Sequence, residues 1–163
     1  MTGRMMNNNR KAVGVFLIFC ILILLFVSVA AHSAAQSGSV NWYGYDEGLS
    51  LGKKNGKKIF MYFWAEWCKF CEVMEKETLT KPKVIRYLND NFVSIKVNSD
   101  AEKAIATRYF VRGLPTMWFL GKNGEKIGYH PGYVASDMFL PYLRYIQSDK
   151  YKNMSFQDFL KHS

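Results

Sequence analysis

Two cysteines three positions apart, Cys68 and Cys71, are the residues of this 163-residue chain best suited to covalent chemistry. The apolar run Ile59–Phe63 indicates a buried strand, and the following stretch, Cys68–Lys76, predicts a helix that starts at the first cysteine. The free N–H groups and the positive dipole end of a helix N-terminus favour a thiolate over a thiol. We therefore expect Cys68 to be a nucleophile, with Cys71 one helical turn away and able to form a disulfide with it.

Three other roles for a cysteine pair can be compared with this redox role. A structural disulfide would close so short a loop that it would remove little entropy from the unfolded chain. A zinc site usually needs four ligands, and beyond the pair only His130 and His162 follow the first 35 residues. Attachment of c-type haem is excluded, because Glu72 stands where the histidine is required. We expect no metal and no cofactor other than the redox-active Cys68–Cys71 disulfide, with the structural disulfide and zinc as alternatives.

The N-terminal region has the order of features typical of a secretory signal. Basic residues within the first 11 positions precede an apolar run, Val13–Ala31, which is followed by the small residues Ser33–Ala35. This pattern predicts cleavage after Ala35. An uncleaved membrane anchor is the alternative, because a spanning helix needs about 20 apolar residues and the run is close to that length. We assign residues 1–35 to a signal peptide or N-terminal anchor and predict export.

Composition limits what the remainder of the chain can be. After the leader it is long enough for one domain with a hydrophobic core and too short for two. The formal net charge is +9, with 22 Lys and Arg against 13 Asp and Glu. Such a charge favours solubility and acidic partners. The lysines are scattered rather than gathered on one helix or stripe, so we predict a solvated surface and no nucleic-acid partner.

The pattern of apolar residues and turn signals predicts alternating strands and helices. In chain order we expect a linker at 36–42, helices at 43–54, 68–77, 84–89, 101–109 and 136–147, and strands at 59–64, 92–97, 116–120 and 126–129. Residues 98–100 and 136–137 are the expected caps of the fourth and fifth helices. The turn at Asn123-Gly124 makes the last two strands antiparallel. This order predicts an α/β domain in which helices cover both faces of a mixed sheet.

The tail at residues 148–163 differs in composition from the domain before it. Ser155 is placed to cap a short amphipathic helix with Phe156, Phe159 and Leu160 on one face. The simplest expectation is that this helix packs on the domain or frays, and docking to a partner is the alternative.

Four segments resemble thioredoxin in their order and spacing. They are Phe63–Cys71, Lys96–Asp100, Arg112–Thr116 and Lys122–Glu125. The resemblance covers about 43–147, and the stretches 71–98 and 131–145 look more like exported thioredoxin-like proteins such as the C-terminal domain of DsbD. It implies the thioredoxin fold: a mixed central sheet of about four to five strands flanked by helices, with a cis-proline loop beside the N-terminus of the CxxC helix.

The same resemblance implies roles for several residues. Cys68 would attack a substrate disulfide, and Cys71 would resolve the mixed disulfide that results. Pro115 would be a cis proline that exposes the backbone of Leu114 to an extended substrate segment. Trp67 would form part of the substrate surface.

One departure from the thioredoxin pattern lies between the cysteines. Thioredoxin has Gly-Pro between its cysteines, whereas this chain has Lys69 and Phe70, and this dipeptide tunes the reduction potential. The positive charge of Lys69 favours the thiolate, whereas Glu66 and Glu72 nearby disfavour it. Trp64 would flank the site from the side of the core.

Another departure concerns the proton of the resolving cysteine. Tyr62 stands where thioredoxin keeps a buried aspartate that helps to move this proton, and Lys96 matches the lysine beside that aspartate. The group that deprotonates Cys71 could therefore be Tyr62, Lys96, Glu72 or water.

These features predict a monomeric thiol-disulfide oxidoreductase, in the periplasm or at the extracytoplasmic face, that reduces protein disulfides. An oxidising compartment would close the cysteine pair, so we expect a membrane thiol transporter of the DsbD or CcdA type as electron donor and disulfide-containing envelope proteins as substrates. A disulfide oxidant or isomerase is an alternative. Against these, the chain between Cys71 and Pro115 has no room for the helical insertion of DsbA-type oxidants, and it shows no dimerisation domain. A non-catalytic binding module with this fold is the other alternative.

Overall fold

The computed structural model describes residues 38–162, so the predicted leader at 1–35 lies outside the described residues. The strands are β1 (Trp42–Tyr43), β2 (Lys58–Trp64), β3 (Phe92–Asn98), β4 (Thr116–Leu120) and β5 (Lys126–Pro131). The α-helices are α1 (Tyr45–Asn55), α2 (Lys69–Glu77), α3 (Pro82–Asn91), α4 (Lys103–Arg108), α5 (Ser136–Gln147) and α6 (Phe156–Lys161). None of these described helices is both long and apolar enough to cross a membrane.

The five strands form one mixed sheet in the order β1-β3-β2-β4-β5. Strands β1, β3 and β2 run parallel, whereas β4 is antiparallel to β2 and β5 is antiparallel to β4. This confirms the predicted thioredoxin fold and the antiparallel last pair. Strand β2 therefore lies at the centre of the sheet, and it ends just before the cysteines.

Alternation along β2 divides the interior into two cores, one on each face of the sheet. Phe60 and Tyr62 face the core that α2, α3 and α5 cover. Ile59, Met61 and Phe63 face the core on the side of α1 and α4. All five side chains are fully buried, which explains why the strand reads as a continuous apolar run.

Helix α1 lies very close to the sheet because two of its inward positions are glycines. A Cβ atom added at Gly48 would overlap the side chain of Ile95, and one added at Gly52 would lie 2.8 Å from Cδ1 of Ile59. Both isoleucines are fully buried and cannot move aside. The helix begins at Tyr45 rather than at residue 43, where the sequence pattern placed its start.

The edge strand β1 was not predicted. Its two residues were assigned to the linker and to the start of the first helix, but Trp42 pairs with Ser94 of β3. The ring of Trp42 packs 6.0 Å from that of Phe60 and 5.9 Å from that of Tyr62. A strand of two residues is too short to show a period, so only this packing reveals it.

Helix α4 also differs from its prediction, because it begins at Lys103 and buries another face. The side-chain oxygen of Asn98 accepts hydrogen bonds from the backbone N–H groups of Asp100 and Ala101 at 3.0 and 3.3 Å. These bonds make a turn rather than a helix cap and delay the start of the helix. Ala104, Ile105 and Arg108 stand at helical spacing in the sequence, but the residue of α4 that is buried is Ala106.

The tail packs on the domain. As predicted, Ser155 caps α6, with its hydroxyl accepting the N–H of Asp158 at 3.1 Å. The rings of Phe156 and Phe159 lie 5.4 and 5.5 Å from that of Tyr145 on α5. This aromatic cluster extends the core beyond residue 147, where the resemblance to thioredoxin ends.

An ion pair joins the start of β2 to the chain that follows α5. Asp149 lies 3.1 Å from Lys58 and 3.0 Å from Lys152. Lys58 also donates to the last carbonyls of α5, at 3.0 Å to Ile146 and 2.8 Å to Gln147. The hydrogen bond from Lys152, and then that from Lys58, lower the pKa of Asp149 to about 2.

We predict that Asp149→Asn destabilises the domain at neutral pH but not in acid. Its folded-state pKa lies below the unfolded value of about 3.9, so its stabilisation is present above pH ~4 and is lost as the pH falls towards 2. Because the carboxylate is half exposed, we expect less than about 1 kcal/mol. Asparagine tolerates the left-handed backbone of this position as aspartate does. Urea unfolding at pH 7 and pH 2.5 measures the difference, and a difference that does not change with pH would contradict the assignment.

Candidate active site

The two cysteines lie where the central strand β2 passes into helix α2. Cys68 is the N-cap of α2, with an extended backbone, and the helix proper starts at Lys69. The sulfur of Cys68 accepts the backbone N–H of Cys71 at 3.1 Å, and the N–H of Cys68 itself donates to the carbonyl of Ala65 at 3.1 Å. The two sulfurs form a disulfide, as predicted. The helix N-terminus therefore directs an N–H group at the sulfur of Cys68.

Both cysteines are buried, but two aromatic side chains next to them in the sequence are exposed. Cys68 is 5% exposed and Cys71 is 1% exposed, so an incoming disulfide reaches Cys68 more easily. The neighbouring side chains of Trp67 and Phe70 are 67% and 65% exposed. Two exposed aromatic side chains next to a buried disulfide are typical of a surface that binds another protein.

The two tryptophans of the site are held by polar partners. The indole N–H of Trp67 donates to the carboxylate of Asp100 at 2.8 Å, which fixes an otherwise exposed ring. The ammonium of Lys96 lies 4.1 Å from the centre of the Trp64 ring, within the range of a cation–π interaction. Trp67 thus lies on the surface, whereas Trp64 packs against the core.

The loop before β4 lies beside the cysteines. The bond between Leu114 and Pro115 is cis, and the carbonyl of Pro115 accepts the N–H of Gly132 at 2.7 Å. Leu114 and Trp67 line a common cleft of about 370 Å³. Within residues 38–162, no backbone hydrogen bond uses the N–H or C=O of Leu114. Trp67 and Leu114, two of the three residues predicted to bind substrate, therefore share a cleft, and Pro115 follows at the end of the sheet where Thr116 pairs with Phe63.

Two other predicted residues point away from the sulfurs. The side chain of Lys69 is almost fully exposed and lies 4.0 Å from Glu72. Glu72 accepts a hydrogen bond from Lys76 at 2.6 Å, and this bond holds the pKa of Glu72 below its ordinary value. A carboxylate that is stabilised as an anion on the outer face of α2 is a weak base, which argues against Glu72 as the proton acceptor.

Tyr62 is fully buried under the cysteine helix. Its hydroxyl donates to the carbonyl of Cys71 at 3.3 Å. Burial raises the pKa of Tyr62 far above its ordinary value, and the charge of Glu75 raises it further. Tyr62 therefore stays protonated at neutral pH, which makes it a hydrogen-bond donor rather than a base.

Glu75 is a site residue that the sequence reasoning did not single out. It follows Cys71 by four positions on α2, so the two side chains share one face of the helix. One of its carboxylate oxygens lies 3.1 Å from the ammonium of Lys96, in an ionic contact rather than a well-aligned hydrogen bond. The charge of Glu75 also acts on the Tyr62 hydroxyl, which donates to the carbonyl of Cys71, so the half-buried pair of Glu75 and Lys96 lies near the buried side of the cysteine helix. The spacing of four residues between Cys71 and Glu75 was the signal in the sequence.

The two histidines that the zinc alternative would need lie apart from the cysteines. His130 is on β5 with its ring 5.8 Å from that of Tyr142, and burial lowers its pKa. His162 lies at the end of α6, where its ring contacts the carbonyl of Asp158 at 2.7 Å. In the part of the chain that the structure describes, no cluster of His, Cys, Asp or Glu side chains is arranged as a metal site.

Comparison with known proteins places this geometry in a family. Residues 45–147 match the family described as the Thioredoxin-like domain, and the chain belongs to that family. It is 31% identical to the thiol:disulfide interchange protein DsbD of Tatumella citrea over 61% of this chain and 18% of that protein. It is 30% identical to the protein disulfide-isomerase erp38 of Neurospora crassa over 67% of this chain and 30% of that protein. The chain therefore spans less than a third of the length of these relatives.

Solved structures give the same result for the fold. A thioredoxin from Thermus thermophilus superposes with a TM-score of 0.61 at 35% identity, over 66% of this chain and 87% of that one. The oxidised C-terminal domain of DsbD from Neisseria meningitidis superposes with a TM-score of 0.50 at 21% identity, over 64% of this chain and 97% of that one. The Cys68–Cys71 pair is thus the CxxC disulfide of a thioredoxin-like redox protein.

We predict that Glu75→Gln slows release of the mixed disulfide by about tenfold or more, because general-base catalysis contributes factors of at least this size. Tyr62→Phe should leave this rate almost unchanged, since the hydroxyl stays protonated. Glu77→Gln is the matched control, because Glu77 is an exposed carboxylate on the same helix. Stopped-flow tryptophan fluorescence during oxidation of the reduced protein measures the rate. Equal rates for the Glu75 and Glu77 variants would contradict the assignment.

Proposed function

We propose that this chain is an exported thiol:disulfide oxidoreductase that reduces the disulfides of other proteins. The observation that carries the proposal is the sulfur of Cys68, which accepts a helix N–H group at 3.1 Å beside the Leu114–Pro115 loop. Once the disulfide is reduced, this position favours a Cys68 thiolate, and the thiolate is the reactive form in disulfide exchange.

The reaction proceeds in two exchanges. The Cys68 thiolate attacks one sulfur of the substrate disulfide, forms a mixed disulfide, and displaces the other substrate sulfur as a thiolate that takes up a proton. Cys71 then loses its proton and attacks the sulfur of Cys68, which releases the second substrate thiol and re-forms the Cys68–Cys71 disulfide. Two electrons pass from the cysteine pair to the substrate.

The substrate binds as an extended segment beside Leu114. Its backbone pairs with the free N–H and C=O of Leu114, which adds a short strand next to the cis-proline loop. The exposed ring of Trp67, fixed by Asp100, covers the segment on the side of the cysteine helix. These contacts hold the substrate sulfur in line with Cys68.

When Cys71 attacks, its thiol proton passes to a base on the same helix. Glu75 shares a helix face with Cys71, and Lys96 compensates its charge at 3.1 Å, so we assign the base to Glu75. This pair takes the role that the sequence left open among Tyr62, Lys96, Glu72 and water.

The setting of the reaction is the periplasm or the extracytoplasmic face. The leader-like residues 1–35 and the similarity to proteins named thiol:disulfide interchange protein support export and a place in an exchange pathway. A membrane thiol transporter of the DsbD or CcdA type supplies electrons, disulfide-containing envelope proteins accept them, and the protein works as a monomer with no cofactor besides its disulfide. An oxidant of the DsbA type is disfavoured, because described residues 72–114 form only the remainder of α2, helices α3 and α4, and strand β3.

Trapping with a Cys71→Ser variant tests this function. Attack by Cys68 still occurs, but the resolving thiol is missing, so we expect a covalent complex between the variant and a protein substrate. The reduced variant is mixed with insulin whose disulfides are intact, and the mixture is run on a non-reducing gel. The complex should be visible on this gel and should be lost when dithiothreitol is added.

The control variant is Cys68→Ser, which has no attacking thiol and should trap nothing. With dithiothreitol as the reductant, insulin should be reduced faster when the unaltered protein is present than when it is absent. Absence of both the trapped complex and the rate enhancement would identify a non-catalytic binding module instead.

A further inference from the structure

A second cleft, of about 560 Å³, adjoins the one that holds Trp67 and Leu114. Arg112 and Gly113 line both clefts, so the two meet at the segment that leads into the cis-proline loop. We name it the aromatic cleft, because four aromatic side chains line it: Tyr109, Phe110, Trp118 and Tyr129. Nothing in the proposed chemistry uses these four residues.

Phe110 is exposed and strained at the same time. Its side chain is 74% exposed, and its φ of 53° lies in the left-handed region that bulky residues avoid. That backbone conformation is unfavourable for a residue with a Cβ atom, and so exposed a ring recovers little of the lost free energy by packing. A large aromatic residue in this conformation therefore points to a contact outside the fold.

Tyr129 gives the cleft a second, fixed aromatic wall. It is 57% exposed, and its ring stacks on the buried ring of Trp118 at 4.9 Å with an angle of 23° between the planes. A ring held in this way presents its outer face without losing conformational entropy on binding. The aromatic cleft therefore suits an apolar side chain of a partner.

The charges at the cleft are positive. The ammonium of Lys126 lies 4.9 Å from the Tyr109 ring, 5.3 Å from the Phe110 ring and 5.0 Å from the Trp118 ring. It donates to a backbone carbonyl, that of Arg108, at 3.1 Å. Arg112 is the charged residue of the lining, and none of the described lining residues is acidic. A partner segment that carries carboxylates would complement this charge.

The position of the cleft relates it to the substrate. Gly113 lines it and is two residues from Pro115, so a segment paired with Leu114 reaches the cleft within a few residues at about 3.3 Å per residue. The same protein segment that presents a disulfide to Cys68 would therefore place nearby side chains between Phe110 and Tyr129.

We propose that the aromatic cleft is a specificity site that selects protein disulfides flanked by an apolar residue and by acidic residues. The inference rests on the proposed function, because it names the class of substrate for the same cysteine pair. Discrimination arises from Arg112 and Lys126, which attract carboxylates and repel lysines.

Two peptide substrates test the proposal. Both are disulfide-bridged synthetic peptides with a leucine near one cysteine, and they differ only in having glutamates or lysines at the positions two to five residues away. We expect the protein to reduce the glutamate peptide with a kcat/KM at least about tenfold higher, mainly through KM, and to lose most of this preference as salt screens the charges.

Phe110→Gly removes the ring and relieves the backbone, because glycine adopts positive φ freely. We expect it to unfold thermally no earlier than the unaltered protein, yet to raise KM for the glutamate peptide several-fold. Phe110→Tyr keeps a ring at this position and should keep the affinity. A Phe110→Gly variant with unchanged KM for the glutamate peptide would overturn the assignment.

A third substrate separates this proposal from the proposed function. 2-Hydroxyethyl disulfide is small and uncharged, so it reports the cysteine chemistry without the cleft. If the unaltered protein reduces it and reduces both peptides equally well, the cleft has no role in specificity while the oxidoreductase function stands. If it reduces none of the three, the proposed function fails and the substrate role of the cleft fails with it.

Discussion

The hydrogen bond from the N–H of Cys71 to the sulfur of Cys68 is the interaction on which the site depends. It exists because Cys68 is the N-cap of α2 and because the central strand β2 delivers the chain to that point. In the middle of a helix the backbone N–H groups are already bonded, so none could donate to a cysteine sulfur there. On an exposed loop no N–H group would be held in place near the sulfur. In the proposed function, this helix start favours the thiolate form of Cys68 once the disulfide is reduced.

The rest of the fold holds three chain segments around that helix start. Strand β3 ends near it and supplies Lys96 and, just beyond, Asp100, which pair with Glu75 and Trp67. Strand β4 begins next to it and supplies the loop with Pro115. Since β3 and β4 are the two neighbours of β2 in the sheet, the order of the strands alone brings these residues together.

Much of this arrangement could be predicted from the sequence. The buried strand before Cys68, the helix start at the cysteines and the hairpin at Asn123-Gly124 are local signals, and the structure confirms all three. The resemblance to thioredoxin implied the loop with Pro115, and the pairing of Thr116 with Phe63 brings that loop to the end of β2 that precedes the cysteines.

Other features depend on contacts between distant residues and gave no clear local signal. The edge strand at Trp42 exists because its ring packs on Phe60, and the role of Glu75 becomes visible only when Lys96 is seen opposite it. The positive φ of Phe110 is a backbone state that the residue type argues against, so no propensity could indicate it. Sequence patterns thus predicted most of the elements and the cysteine pair, whereas contacts between distant residues bring Glu75 opposite Lys96 and form the aromatic cleft.

The central claim is that electrons flow from this cysteine pair to protein disulfides. The reduction potential of the Cys68–Cys71 couple tests it directly, by equilibrating the domain with a series of dithiothreitol redox buffers and counting alkylated thiols by mass spectrometry. The account predicts a strongly negative value, near or below about −270 mV, as in reducing thioredoxins. A value approaching about −120 mV, as in the oxidant DsbA, would contradict it and reverse the direction of electron flow.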